Sequence, residues 1–163
     1  PAPAEPAEPP PPDLTSVAIL NAKTATPGVV TGGQPTEEQL QQAKASGVKI
    51  VVNLRTKGEK GEIPDQAEKV AALGMKYVHM PIESKEWKGL DEDNARKLAE
   101  LLAEGPMLVH CTSGERVGAL FALKAFYVDK QSTDEALEVG KAHGLSVEKV
   151  KKAVADAMAR SKR

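Results

Sequence analysis

Apolar residues along the chain recur with two different periods, and each period predicts a different element. VVT (29–31), KIVVNL (49–54), MKYVHMPI (75–82) and PMLVHC (106–111) are short runs bounded by polar loops. Those features predict strands, and the continuous run KIVVNL predicts one buried on both faces. Between the runs the spacing becomes helical. Thr36 and Gln39 form a capping box, Leu40, Ala43 and Val48 give the apolar spacing of a short helix, and Gly47 stands at its C′ position. Pro64 opens a second helix, DQAEKVAAL, which Gly74 stops. In DEDNARKLAELLAEG the early carboxylates suit the positive end of a helix dipole. VGALFALKAFYV (117–128) is apolar almost all round and predicts a helix inside the domain. Ser132 and Glu135 cap DEALEVGKAHG, and the last helix places Val147, Val150, Val154 and Met158 on one face. Strands alternating with helices predict an α/β fold with a central parallel sheet flanked by helices. The order of the strands is not encoded in this pattern.

Composition narrows the picture. A length of 163 residues suits one domain, and a formal charge of −1 gives no global field to attract nucleic acid. Only the final RSKR is locally basic, as a solvated helix end would be. No apolar run approaches the roughly 18 residues of a membrane span. One cysteine excludes an internal disulfide and a thiolate zinc cluster, and His79, His110 and His143 lack ligand-like spacing, so no metal site is predicted. His79 and His143 read as structural. The first twelve residues hold seven prolines. Residues 1–13 are therefore predicted to be an extended, mobile Pro/Ala/Glu linker, and 14–163 the folded domain. Such tethers suit bacterial envelope proteins, which predicts a periplasmic or envelope location, although no signal peptide is present and a cytoplasmic one is an alternative. Nothing in the sequence sets the oligomeric state.

The candidate chemistry lies in HCTSGERVG, residues 110–118. Cys111 ends a predicted strand, and a buried helix is predicted to begin near Val117. In open α/β sheets, ligands sit beyond the carboxyl ends of strands. The loop Thr112, Ser113, Gly114, Glu115 is small enough to turn its N–H groups inward, and with the helix end behind them they make an anion cradle. The same field favours a nucleophilic thiolate at Cys111, and Arg116 can add a planar, bidentate donor. His110 or Ser113 can hydrogen-bond the sulfur or the loop. The structural alternative makes Cys111 a buried filler and Arg116 a surface charge. Arg55, at the end of the second strand, and Gln34 in GGQP are candidates for a substrate rim. For Arg55, a salt bridge to Glu59 or Glu62 is the alternative.

This loop resembles the HC-x-x-G-x-x-R signature of the cysteine-dependent phosphatases, matched by His110, Cys111 and Gly114. VTGGQPTEEQLQQAKASGVKIVVNLR, KYVHMPI and HCTSGERVGALFAL resemble the bacterial beta-lactamase-hydrolase-like phosphatase family, from about Val29 to Leu145. The resemblance implies a four-stranded parallel sheet with helices on both sides. It also implies hydrolysis of phosphate monoesters, carried by a phosphoprotein or a small molecule, through a phosphocysteine on Cys111. The resemblance further implies that no metal or other cofactor takes part. The chain departs from the signature in one place: four residues, not five, separate Cys111 from Arg116, and the signature position falls on Val117. Rhodanese-type sulfurtransferases use this shorter spacing to hold a persulfide, and some members of the resembled family share it. Persulfide transfer, or anion or protein binding without turnover, are the alternative functions. A carboxylate at Glu115 would repel a dianion unless it points outward. No aspartate stands where such phosphatases keep their general acid. The loop ESKEWKGLDED offers Glu83, Glu86 and Asp91, with Glu86 beside Trp87 as first choice and Glu83 as second.

Overall fold

A computed structural model describes residues 9–161. Four strands, β1 (Val29–Gly32), β2 (Ile50–Asn53), β3 (Lys76–His79) and β4 (Met107–His110), form one sheet in the order β1-β4-β2-β3. Every neighbouring pair is parallel, and β4 lies between β1 and β2. The expected α/β class and parallel sheet are both present. Among the described residues the helices are six: α1 (Glu37–Ala45), α2 (Gln66–Ala72), α3 (Glu92–Glu104), α4 (Glu115–Tyr127), α5 (Thr133–Ala142) and α6 (Glu148–Ala159).

Alternation along the strands divides the core in two. Val52 and Val109 face a cluster built with α3, α4, α5 and α6, whereas Val51 and Leu108 face one built with α1, α2 and the segment carrying Leu14, Val17 and Ile19. Both faces are covered, which is why β1, β2 and β4 are buried throughout. Strand β3 lies at the edge and is partly exposed. Helix α4 runs through the larger cluster, with eleven of its thirteen residues buried. Its apolar circumference is thus accounted for.

Several boundaries differ from the sequence reading. Val48 lies past the end of α1, buried in the approach to β2. Pro64 precedes α2 rather than opening it, because Asp65 takes a left-handed conformation at the N-cap. Val147 caps α6 and is 48% exposed, so the buried face of that helix is Val150, Val154 and Met158. Residues 1–8 of the expected linker lie outside the described residues. Pro11 and Pro12 lie against Gly28 and Gly47, so the end of that segment rests on the domain.

Helix α4 meets α5 through glycines. A Cβ on Gly118 would lie 2.3 Å from the Leu145 nitrogen and 2.7 Å from the Gly140 carbonyl oxygen, both backbone atoms that cannot yield cheaply. Gly118→Ala is expected to destabilise the protein by about 1–3 kcal/mol, the usual cost of overpacking. Urea unfolding against wild type measures it, and an unchanged midpoint would show that the α4–α5 contact is loose.

Candidate active site

Strand β4 ends at His110, and α4 starts at Glu115, two residues before the predicted helix start. The turn between them is fixed from outside by its carbonyls. His110 Nδ1 is 3.1 Å from the Cys111 oxygen, Gln34 N–H donates to the Thr112 oxygen at 3.0 Å, and Asn21 Nδ2 donates to that of Ser113 at 2.9 Å. The Gly114 oxygen accepts from Gly118 N–H, the start of the α4 ladder. A planar peptide points its N–H opposite its C=O, so anchoring these four carbonyls turns the following N–H groups to the other side. There Gly114 N–H donates to Cys111 Sγ at 3.1 Å. Gly114 is the N-cap of α4 at φ +104, a conformation that a side chain would strain. Cys111 is 1% exposed.

Arg116 sits in the first turn of α4, 8% exposed and folded toward the cysteine rather than into solvent. Its Nη1 donates to the Ile82 carbonyl at 3.0 Å and its Nη2 to Thr112 Oγ1 at 2.9 Å. The remaining Nη hydrogens form a fork on Glu59, at 2.7 and 2.8 Å. Burial alone would lower the Arg116 pKa. Hydrogen bonding to Glu59 and the charge of Cys111 and Glu59 more than offset it, so the net shift is upward. The same hydrogen bonds from Arg116 outweigh burial at Glu59 and hold its carboxyl well below the usual range. One residue fewer in the loop therefore does not cost the site its guanidinium. The signature position, Val117, is fully buried in the core.

His110 is fully buried, and burial is the main cause that pushes its pKa down to about 4. The nearby charges of Arg55 and Arg116 act in the same direction, against the hydrogen bond to the Cys111 carbonyl. Arg55, 1% exposed, donates to Gln34 Oε1 at 2.7 Å, and Gln34 Nε2 donates to Gln66 Oε1 at 3.0 Å. Gln66 Nε2 lies 2.8 Å from His110 Nε2. Arginine has no acceptor, so the direction of the chain is fixed. His110 accepts at Nε2 and donates from Nδ1 to the carbonyl of Cys111. Arg55 also pairs with Glu59 at 3.2 Å, whereas Glu62 accepts from Gly58 N–H.

The remaining candidates are placed less centrally. Glu115 points away from the loop and takes hydrogen bonds from Ser146 and Val147 at the start of α6, so the expected repulsion does not arise. Ser113 bonds the loop's surroundings through its carbonyl, and the sulfur's N–H donor is Gly114. Glu83 accepts from Lys85 N–H and Glu86 N–H, and the Glu86 bond leads in lowering its pKa, which suits it poorly to hold a proton. Glu86 is exposed and lies 3.5 Å from Lys88 Nζ. Asp91 caps α3. Glu59, Thr56, Glu83 and Glu86 line one cleft of about 550 Å³. His79 bonds the Arg55 carbonyl through Nε2, and His143 stacks on Phe121 with ring centroids 4.1 Å apart. Sequence reasoning missed Gln66, Asn21 and the Arg116–Glu59 pair. The charged loop 55–63 was the only signal for the last of these.

A histidine whose folded pKa lies below its unfolded value contributes stability that is complete above about pH 6.5 and lost as pH falls through about 4. Wild-type stability is expected to drop more steeply across that window than that of His110→Asn, by roughly 3 kcal/mol in total. Urea unfolding at a series of pH values measures the difference, and parallel curves would contradict it.

A family model described as "DSP-PTPase phosphatase fused to NAD+ Kinase" matches residues 13–160. A beta-lactamase hydrolase-like protein of Xylella fastidiosa is 32% identical over 120 residues, covering 71% of this chain. The match spans only 27% of that relative's length. Among solved structures, a DUF442 protein of Shewanella putrefaciens superposes with a TM-score of 0.67 at 21% identity, over 90% of this chain and 94% of that one. TpbA of P. aeruginosa, solved in complex with pTyr, superposes at 0.65 with 18% identity, over 88% and 85% of the two chains. The likeness in sequence and in fold has one source: the chain belongs to the DSP-PTPase family described as fused to NAD+ kinase, within the cysteine phosphatase superfamily.

Proposed function

We propose that the domain hydrolyses phosphate monoesters through a phosphocysteine on Cys111. The observation that carries this reading is the inward fold of Arg116. From one position early in the sequence it still reaches the cysteine loop, beside a sulfur that already accepts a backbone N–H. A positive helix end, loop amides and a guanidinium match the oxygens of a phosphoryl group. The thiolate sulfur attacks phosphorus and the P–O bond to the leaving group breaks. A carboxylic acid protonates that oxygen, and water then cleaves the P–S bond, releasing phosphate and restoring the thiolate. Glu86 is the assigned acid, because it lines the cleft and its carboxylate takes no backbone N–H of the kind that Glu83 accepts. The substrate is a phosphoprotein or a phosphorylated small molecule.

Cys111→Ser is expected to abolish phosphate release from an aryl phosphate, and Arg116→Lys to lower kcat by about 100-fold, as removal of an oxyanion donor does. Thiosulfate with cyanide is the discriminating second assay. Cysteine-dependent turnover of thiosulfate alone would make the protein a sulfurtransferase, and silence on both substrates would make it a binding module.

Glu86→Gln is expected to slow an alkyl phosphate by about 100-fold or more, because general acid catalysis matters most for a poor leaving group. A nitrophenyl ester should be nearly unaffected. Equal loss on both esters would remove Glu86 from this role.

A further inference from the structure

The Glu59 carboxylate lies in a cradle of six donors. Oε1 accepts from Arg55 Nε at 3.2 Å, Thr112 Oγ1 at 3.1 Å and Arg116 Nη2 at 2.8 Å. Oε2 accepts from Thr56 N–H at 2.6 Å, Thr56 Oγ1 at 2.8 Å and Arg116 Nη1 at 2.7 Å. Two guanidiniums, two hydroxyls and one backbone N–H thus converge on a single negative charge. Arg55 is 1% exposed and lies outside the cysteine loop, so the cradle is not merely part of that loop. Arg116 belongs to both. Its fork on Glu59 is end-on, its other Nη hydrogens go to Ile82 and Thr112, and the same guanidinium also hydrogen-bonds the Cys111 side chain, so it faces the sulfur and Glu59 together.

Glu59 itself is held by a loop, not by an element of the fold. Residues 54–65 contain no helix or strand, and the turns at Gly58 and Gly61 have positive φ with open space around them. The 550 Å³ cleft opens directly onto Glu59 and Thr56, and its wall carries Lys85 and Lys88 together with Glu83 and Glu86. The carboxylate thus lies in an open cleft of mixed charge on one side and bonds the turn of an almost wholly covered cysteine on the other.

We propose that Glu59 is a displaceable stand-in for part of the substrate. The cradle of Arg55, Thr56, Thr112 and Arg116 takes a second anionic group, phosphate or carboxylate, of a substrate whose scissile phosphate sits on the Cys111 loop. This rests on the phosphatase reading and adds a substrate class to it. Both anions share the Arg116 guanidinium, so they must be close neighbours, as in a diphosphate or a phosphate ester beside an acidic group. A monoester with a neutral tail has nothing to replace Glu59 with and meets a tethered competitor.

The test is binding without turnover. Orthophosphate and pyrophosphate are titrated by calorimetry into wild type, Glu59→Gln and Glu59→Ala, each also with Arg55→Gln. Charge-assisted hydrogen bonds of this kind set the expected gain at about tenfold or more for pyrophosphate in both Glu59 variants. The gain for orthophosphate should be smaller, and Arg55→Gln should remove the difference. Glu59→Ala leaves two guanidiniums unpaired, so its thermal midpoint should rise more with pyrophosphate than that of wild type. The isosteric Glu59→Gln carries the titration if the alanine variant does not fold. Binding no tighter than wild type in either variant would overturn the proposal and leave Glu59 as a positioning residue for Arg116. An equal gain for both anions would overturn the second subsite. Neither result depends on aryl phosphate hydrolysis, whose failure in the Cys111→Ser comparison would strike the phosphatase reading instead.

Discussion

A guanidinium that is nine-tenths buried has to be paired, and the way Arg116 is paired organises everything around Cys111. Its four Nη hydrogens join three separate segments: Glu59 in the loop after β2, Ile82 after β3, and Thr112 in the cysteine turn. These are segments that follow β2, β3 and β4, brought together at the carboxyl edge of a parallel sheet. The side chains of Arg116 and Glu59 are 10% and 24% exposed, against 78% and 73% for the Lys88–Glu86 pair. Exposed pairs of that second kind contribute about 0–1 kcal/mol, whereas breaking a buried pair costs several.

A second network acts on the turn from behind. The chain from Arg55 through Gln34 and Gln66 to His110 has a single direction, because it begins at a group that can only donate. It therefore fixes the His110 tautomer without a proton shared at any step, and burial keeps that ring neutral. The last bond in the series holds the Cys111 carbonyl away from the sulfur's side. Glu59 also contacts Arg55, so the front and back networks meet at one carboxylate.

The fold class and the cysteine turn were legible in the sequence because both depend on local pattern. Strand runs, capping boxes at Thr36 and Ser132, and an all-apolar α4 each state their own environment. The partners of Arg116 and His110 were not legible, because they come from segments about 57 and 44 positions away in the chain. A glutamine in the first turn of a helix carries no local mark of burial, and only the tertiary fold places Gln66 against His110. Glu59 was identified as a possible partner for Arg55, its neighbour four residues back, and not for Arg116. Val147 failed for a local reason: apolar spacing continued one residue past the true helix start, into the cap.

The shortened spacing between Cys111 and Arg116 resolves once the helix start is used as the reference instead of the cysteine. Helix α4 begins at Glu115, which makes Arg116 the second residue of its first turn. Arg116 then leaves the first turn of α4 on the side of the cysteine, Glu115 leaves it on the side of α6, and Val117 enters the core. These three directions are those of successive residues on a helix, about 100° apart. Moving the arginine to position 117 in this frame would bury a guanidinium among apolar side chains. What has to be kept is the face of α4 from which the arginine projects, and a count of residues from the cysteine is only an indirect measure of that face.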